Sequence, residues 1–572
     1  MAFKQTELLG QLLIQKGLLN MKQLETALIE KERTGAMLGS CLIQLGLISE
    51  EDLYQVLSEQ FEAEYVKLKN VEISPDVIKA IPAKFATHYH LVPINMDETS
   101  IVVAMPNPMD IQVLDDLKLF LDKEIRAVLA SESDVMEAIK RYYGIGADTI
   151  ERITPEAHEK QKGLDTKEHV TEDIVSTAEA ASIIKFVNQI FLEAYKDNAT
   201  DIHVEPYEDE LRVRYRIDGI LYDAKVPPNL KNFQAAIISR IKVMANLNIA
   251  EKRLPQDGRI KIKISGEELD LRVSILPSSF GEAVVIRLLS TNVFIGLKNL
   301  GLLKSDLMIF EKLIQQPHGI IFVTGPTGSG KTTTLYAALS KINDSEKKIL
   351  TIEDPIEYQI KGVIQTQVHP KIGLTFSQGL RSMLRHDPDI MMVGEVRDFE
   401  TAEITIRIAL TGHLVFSTLH TNDAAGGIAR LIDMGVEPFL VASSVNAFVA
   451  QRLVRVICPR CKVEMRPDRE MLNELGVSAK VELSKIKIYK GKGCENCRHI
   501  GYKGRTAIYE ILVVTDAIRD LILKRSASEQ IKNKAIQQNM RTLRQDGWEK
   551  IKMGITTPEE VIRVTQGDEF IE

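Results

Sequence analysis

A chain of 572 residues is about four times the length of a typical single domain, so it holds several domains with their own cores. Apolar residues at 44%, charged residues at 26% and only 34 glycines and 20 prolines exclude wholesale disorder and low-complexity sequence. A formal charge of −7 with a single tryptophan gives no global basic field for gripping nucleic acid, so no nucleic-acid partner is expected.

The start, MAFKQTELLGQLL, lacks the basic segment, apolar core and cleavage site of a signal peptide, and a cytoplasmic location is expected. Residues 1–60 contain a repeat: Leu9, Gly10, Gly17, Leu24 and Leu28 recur 29 positions on as Leu38, Gly39, Gly46, Leu53 and Leu57. The leucine pairs are four apart on one helix face, and Gly17 and Gly46 stand where a helix ends in a left-handed residue, so each copy reads as a helix-turn-helix hairpin. Residues 61–144 mix strand-like runs (SIVVAMP, IRAVLA) with short helices, a small α+β module. Residues 145–172 lose apolar periodicity and read as a flexible linker between movable domains. Residues 173–296 begin with a helix (AASIIKFVNQIFLEAYKD) and continue as strands LRVRYRIDGIL, GRIKIKIS, LDLRVSILP and AVVIRLL around a helix FQAAIISRIKVMANL, a second α+β domain. From 297 to 572 strands and helices alternate, as in an α/β domain with a largely parallel sheet. The most apolar stretch, Phe439 to Val454, is interrupted by Ser443, Ser444, Asn446, Gln451 and Arg452, so it is no membrane span.

The strand-like run GIIFVT is followed by GPTGSGKTT, which satisfies GxxxxGK[ST] in the strand–loop–helix context that a phosphate cradle needs. Gly325, Pro326, Thr327, Gly328, Ser329, Gly330, Lys331, Thr332 and Thr333 are therefore the expected contacts of ATP. Backbone amides would surround the β-phosphate, Lys331 would reach the β- and γ-phosphates, and the Thr332 hydroxyl would ligate magnesium. A second strand, DIMMVG, runs into Glu395. Gly394 stands where the usual terminal aspartate would be, so Glu395 is expected to orient the attacking water, to contact hydrated magnesium, or both. Glu353, with Asp354 and Glu357, follows the strand KILTI and either adds a second carboxylate to the pocket or is a solvated loop acid. His420 follows the strand LVFST and is either a γ-phosphate contact or a structural histidine.

Cys458, Cys461, Cys494 and Cys497 read C-x2-C-x32-C-x2-C, the pattern of a closed tetrahedral zinc site, with a redox pair as the alternative. Cys41, in the repeat, reads as core.

GPTGSGKTT, TIEDPIEY, RSMLRHDPDIMMVGEVRD and TGHLVFSTLHTND resemble, in order and spacing, the Walker A, Asp box, Walker B and His box of the secretion-ATPase superfamily. DIHVEPYEDELRVRYRIDG, LNIAEKRLPQDGRI and LDLRVSILPSSFGEAVVIRLL resemble the preceding domain of the assembly ATPases of type IV pili and type II secretion, and the match spans about residues 173–572. The resemblance implies a RecA-like P-loop domain (297–572, including the zinc loop 458–497) preceded by a PAS-like α+β domain (173–296), assembled as a homohexameric ring with nucleotide between the two domains. It implies that Arg272 and Arg287, and less strongly Arg240, reach the phosphates; a surface ion-pair role is the alternative for each. It implies an ATPase at the cytoplasmic face of the inner membrane, acting on a platform protein to drive pilus assembly. The alternatives are a type II secretion ATPase and, from another class, a nucleotide-gated scaffold without productive hydrolysis.

The 29-residue repeat resembles a module that binds cyclic di-GMP in some pilus ATPases. Leu8 and Met37 stand where that motif carries arginine before Leu-Gly, and Lys31 in the first copy is matched by Gln60 in the second. Without those guanidinium groups the module reads at least as well as a site for a regulatory protein.

Overall fold

The computed structural model describes residues 2–565, except positions 36, 122, 145, 148–171, 265, 291–295 and 478–485; the side chains of residues 2–8, 70, 172–180, 228 and 290 are also outside the description. Apart from Gly146, Ala147 and the backbone of Glu172, the expected linker at 145–172 thus lies outside the described residues, as does the side chain of Leu8. The chain divides into two units, Met1–Leu289 and Ser290–Glu572.

In the first unit the 29-residue repeat becomes two helical hairpins, α1 (Ala2–Gln15) with α2 (Met21–Thr34) and α3 (Leu38–Gln44) with α4 (Glu50–Phe61). Their shared core consists largely of residues that repeat at the same offset: Leu9 and Leu38, Leu13 and Leu42, Leu19 and Ile48, Ala27 and Val56. The recurring glycines have a packing reason. A Cβ on Gly10 would lie 2.9 Å from the Leu24 side chain, and one on Gly39 would lie 2.9 Å from that of Leu53. Gly17 and Gly46 turn the chain with φ of 71° and 67°. Asn20 and Ser49, also 29 apart, cap α2 and α4 by accepting from the amides of Gln23 and Asp52. Cys41 is buried.

The hairpins rest on a three-stranded sheet with helices, β1 (Val92–Met96), β2 (Ser100–Met105) and β3 (Glu124–Leu129), in which β2 is antiparallel to β1 and parallel to β3. Tyr54 stacks on Tyr65 at 5.7 Å, and its hydroxyl accepts from the Glu132 amide at 3.3 Å. The next domain begins with the helix Glu172–Lys196 and has a six-stranded sheet: β4 (Ala199–Pro206), β5 (Leu211–Ile217), β6 (Ile220–Asp223), β7 (Gln256–Ile264), β8 (Glu267–Ser278) and β9 (Gly281–Ser290), in the order β6-β5-β4-β9-β8-β7. The run LRVRYRIDGIL, read above as one strand, is a hairpin. Asp218 and Gly219 both take positive φ, 50° and 89°, so the Asp-Gly pair reverses the chain between β5 and β6. An ion pair between Lys140 and Glu193 joins the three-stranded module to this domain.

The second unit holds a seven-stranded sheet of β10 (Gly319–Thr324), β11 (Ile349–Glu353), β12 (Val363–Gln367), β13 (Ile390–Val393), β14 (Leu414–Leu419), β15 (Val445–Ile457) and β18 (Tyr502–Val513). A separate two-stranded sheet pairs β16 (Lys462–Met465) with β17 (Ile488–Gly491). The large sheet is ordered β12-β11-β13-β14-β10-β15-β18, parallel throughout except for the antiparallel edge strand β18. Every residue of β10 is buried, because Ile320 and Phe322 enter the core on one face and Ile321 and Val323 the core on the other. That is why the run is continuously apolar rather than alternating. The stretch Phe439–Val454 divides between the helix Pro438–Ser444 and β15, and among the described residues no helix is long and apolar enough to cross a membrane.

Candidate nucleotide site and cysteine cluster

Parallel pairing brings four motif residues to one edge of the sheet. Thr324 pairs with Leu419, Val393 with Ser417, and Ile352 with Val393. The chain therefore leaves β10 at Gly325, β14 at His420, β13 toward Glu395 and β11 at Glu353, side by side where a parallel sheet places its ligands.

The phosphate loop is built on positions only glycine tolerates. Gly325, Gly328 and Gly330 have φ of 150°, 79° and 88°, and a Cβ on Gly325 would stand 2.6 Å from the Gln451 carbonyl. Gly330 leads directly into the helix Lys331–Ile342, aiming its N-terminal amides at the loop. The Lys331 ammonium donates to the carbonyls of Gly325 at 2.9 Å and Pro326 at 3.0 Å. Burial pulls its pKa down to about 8; Glu395 opposes the shift and Arg452 adds to it. Both charges therefore act on the amine that the phosphates would meet.

Glu395 is held by its neighbours on both sides. The Gly394 amide donates to the Ile352 carbonyl at 2.8 Å, and the Val396 amide donates to the Thr418 carbonyl at 3.1 Å. A Cβ on Gly394 would lie 3.2 Å from the Glu353 Cα and from the Ile352 carbonyl oxygen, so the close approach of β11 accounts for glycine where an aspartate is usual. The Glu395 carboxylate is mostly buried; one oxygen meets Arg397 at 2.6 Å and the other meets His420 Nε2 at 3.4 Å. Glu395 and His420 are thus brought together, and Arg397 joins them. Arg397 is not marked by any of the motifs, and its place two residues beyond Glu395 is the one local signal for it. Arg452 is likewise unmarked, and only the pairing of β15 with β10 reveals it.

Glu353 ends β11 at the same edge of the sheet, as a buried acid. It is 2% exposed, so it is no solvated loop acid. Its carboxylate accepts from the Tyr336 hydroxyl, from Thr351 Oγ1 at 2.6 Å and from Gln365 Nε2 at 3.0 Å. Three donors from three elements hold this carboxylate in place, which suits a residue fixing the end of β11.

The three arginines belong to the first unit. Arg287, on β9, is exposed and donates through Nε to Asp201 Oδ1 at 2.9 Å; Arg216 approaches the other oxygen at 3.7 Å. Arg272 lies opposite Arg259 in the β7–β8 ladder and is half-buried, as is Arg240 on the helix Gln234–Met244.

The four cysteines converge at the end of β15. Their sulfurs all lie within 4.8 Å of one another, and they form the one group of potential metal ligands found among the described residues. The Cys458 amide donates to the Gly501 carbonyl at 2.9 Å, closing the two knuckles on each other. Hydrogen bonds from Asn496 and nearby backbone amides hold the Cys458 thiol below its usual range against the effect of burial, whereas burial pushes Cys461 up. Four clustered thiols with one already favouring its anion are a suitable donor set for zinc.

Comparison with known proteins agrees with this geometry. The family described as Type II/IV secretion system protein matches residues 176–563, and the MshEN domain matches residues 61–149, which lie after the 29-residue repeat. The Type IV pilus assembly ATPase PilB of Myxococcus xanthus is 44% identical over 98% of this chain and 99% of its own. The Type II secretion system ATPase E of Vibrio cholerae is 43% identical over 86% of this chain and 97% of its own. Among solved structures, the ATPase DotB of Legionella pneumophila aligns with a TM-score of 0.49 at 21% identity, over 67% of this chain and 96% of that one. With a phosphate loop, a carboxylate and a histidine gathered at one edge of a largely parallel sheet, the chain is an ATPase that belongs to the Type II/IV secretion system protein family.

Proposed function

We propose that this chain is the cytoplasmic engine of pilus assembly: a homohexamer at the inner membrane that hydrolyses magnesium-ATP and moves a membrane-embedded platform protein. The observation carrying the choice of load is the 44% identity to a pilus assembly ATPase over 98% of the chain, which includes the N-terminal repeat. The alternative, a type II secretion load, draws on relatives such as the one matching 86% of the chain.

In this reading Lys331 and the loop amides bind the phosphates, and Thr332 and Glu395 hold magnesium, Glu395 through water. Magnesium would neutralise developing charge on the phosphates. Glu395 orients the attacking water as its general base, and His420 holds the carboxylate in place. Glu353 secures the strand beside them. Arg272 and Arg287 would bring positive charge to the transferring phosphoryl group, Arg287 leaving Asp201 to do so. Cys458, Cys461, Cys494 and Cys497 hold a structural zinc.

The test is steady-state turnover beside nucleotide affinity. Glu395→Gln keeps the shape and loses the base, so ATP should still bind while kcat falls by about two orders of magnitude or more. Arg272→Ala and Arg287→Ala should lower kcat far more than affinity for ADP, and the double variant should cost less than the two single effects combined. Turnover by Glu395→Gln at the parent rate would remove it from the chemistry. A kcat within twofold of the parent in both arginine variants would return them to surface ion pairing.

A further inference from the structure

The phosphate loop is seated on two consecutive residues of β15. Gln451 supports its far end: the Thr334 hydroxyl, in the first turn of the loop's helix, donates to Gln451 Oε1 at 2.7 Å, and a Cβ on Gly330 would fall 2.8 Å from Gln451 Nε2. Arg452 packs beside its near end: Nη1 donates to the Gln451 carbonyl at 3.1 Å, and that carbonyl and Nη1 stand 2.6 Å and 3.2 Å from where a Gly325 Cβ would be. The other prong of the same guanidinium, Nη2, donates to the Asn422 carbonyl at 2.6 Å. Asn422 is two residues beyond His420 and one before Asp423, which caps the helix Ala424–Asp433 by accepting from the Gly426 amide at 2.8 Å and pairs with Lys532 at 3.1 Å. One side chain, only 8% exposed, therefore lies against the first glycine of the phosphate loop and hydrogen-bonds to the segment that carries the histidine.

We propose that Arg452 is a positioning residue for hydrolysis: its forked guanidinium holds the start of the phosphate loop and the segment 420–423 in one arrangement, so that nucleotide seated on the loop fixes His420 as well. The inference rests on the ATPase activity and adds a residue to it. A fork is what the geometry requires. One prong is fixed by the Gln451 carbonyl against Gly325 and the other by the Asn422 carbonyl, and a lysine, with one compact charge on a flexible stem, cannot make both bonds in fixed orientation. Burial of the guanidinium strengthens the arrangement, because a buried charge whose hydrogen bonds are broken is costly. Ordering of the loop by phosphate is then felt at His420 before any contact with a γ-phosphate, and Glu395, 3.4 Å from His420, is steadied by the same link.

Two measurements on the full chain decide it. The first needs no variant: hydrogen exchange with and without magnesium-ADP, which has no γ-phosphate to reach His420. Protection should appear in residues 325–333 and, with it, in 420–427; protection confined to the loop would overturn the proposal. The second compares Arg452→Lys and Arg452→Gln. Both should lower kcat by about tenfold or more while the Kd for ADP stays within about threefold and the melting temperature within a few degrees, and in Arg452→Lys protection by ADP should no longer extend to 420–427. Full rescue by lysine, or a loss of ADP affinity equal to the loss of kcat, would overturn it. Absence of turnover in the unmutated chain would instead strike the ATPase reading, leaving the exchange measurement to judge Arg452 by itself.

Discussion

At the scale of single residues, the site works by surrounding each charge with specific opponents. Lys331 is the clearest case, because burial lowers its pKa to about 8 while Glu395 favours its cation and Arg452 disfavours it. The depressed value has a signed consequence. An unfolded lysine titrates near 10.4, so between about 8 and 10 the folded, nucleotide-free chain has released a proton that the unfolded chain still holds, and this group then contributes stability that rises with pH. Binding runs the other way, since phosphate needs the cation. Affinity for a fluorescent ADP analogue should be flat below pH 8 and fall above it, with a slope approaching tenfold per pH unit. Constant affinity from pH 7 to 9.5 would show that the Lys331 charge does not limit binding.

At the scale of elements, motif spacing made the nucleotide edge legible because each motif follows a buried parallel strand, and such strands are continuous apolar runs. Gly325, Glu395 and His420 could thus be placed at strand ends from sequence. Glu353 shows the limit: its position at the end of β11 was readable, but the Tyr336 and Gln365 donors come from elements 17 residues before and 12 after it, and no local pattern announces them. Arg452 was illegible for the same reason, as β15 meets β10 across more than a hundred residues of chain. In β5–β6 the signal is local instead, since the Asp218-Gly219 pair marks a turn inside a run whose alternation is otherwise continuous. The cysteine knuckles were legible in full because metal spacing is short-range on each side. Cys494→Ser removes one of four clustered thiols and should reduce metal content from about one zinc per chain to well below it, and increase protease sensitivity between 458 and 497. Glu395 and Lys331 lie on other elements, so ADP affinity should change little. An unmutated chain without metal and with a titratable disulfide would make the cluster a redox pair.

At the scale of the whole molecule, the helical repeat and the nucleotide site belong to different parts of the chain. The hairpins have their own core, Leu13 and Leu42 at its centre, and the phosphate loop, carboxylate and histidine all lie in the second unit. Met37 is 81% exposed and stands at the place where the related cyclic di-GMP motif would need an arginine, with no guanidinium to stack on a base or pair with phosphate. An exposed methionine instead offers an adaptable apolar contact, and Met21 and Ile29, each 67% exposed, add apolar area on the same hairpins. That surface suits a protein partner better than a dianionic nucleotide. Calorimetric titration of the full chain with cyclic di-GMP should therefore give no binding at micromolar concentrations. Deleting residues 1–60 should leave basal ATP turnover within about twofold, because no residue of the site is touched, while piliation in the cell falls with the loss of docking. Micromolar affinity for cyclic di-GMP would return the repeat to nucleotide sensing, and normal piliation after the deletion would deny it a docking role; in either event the engine in the second unit should keep turning over ATP.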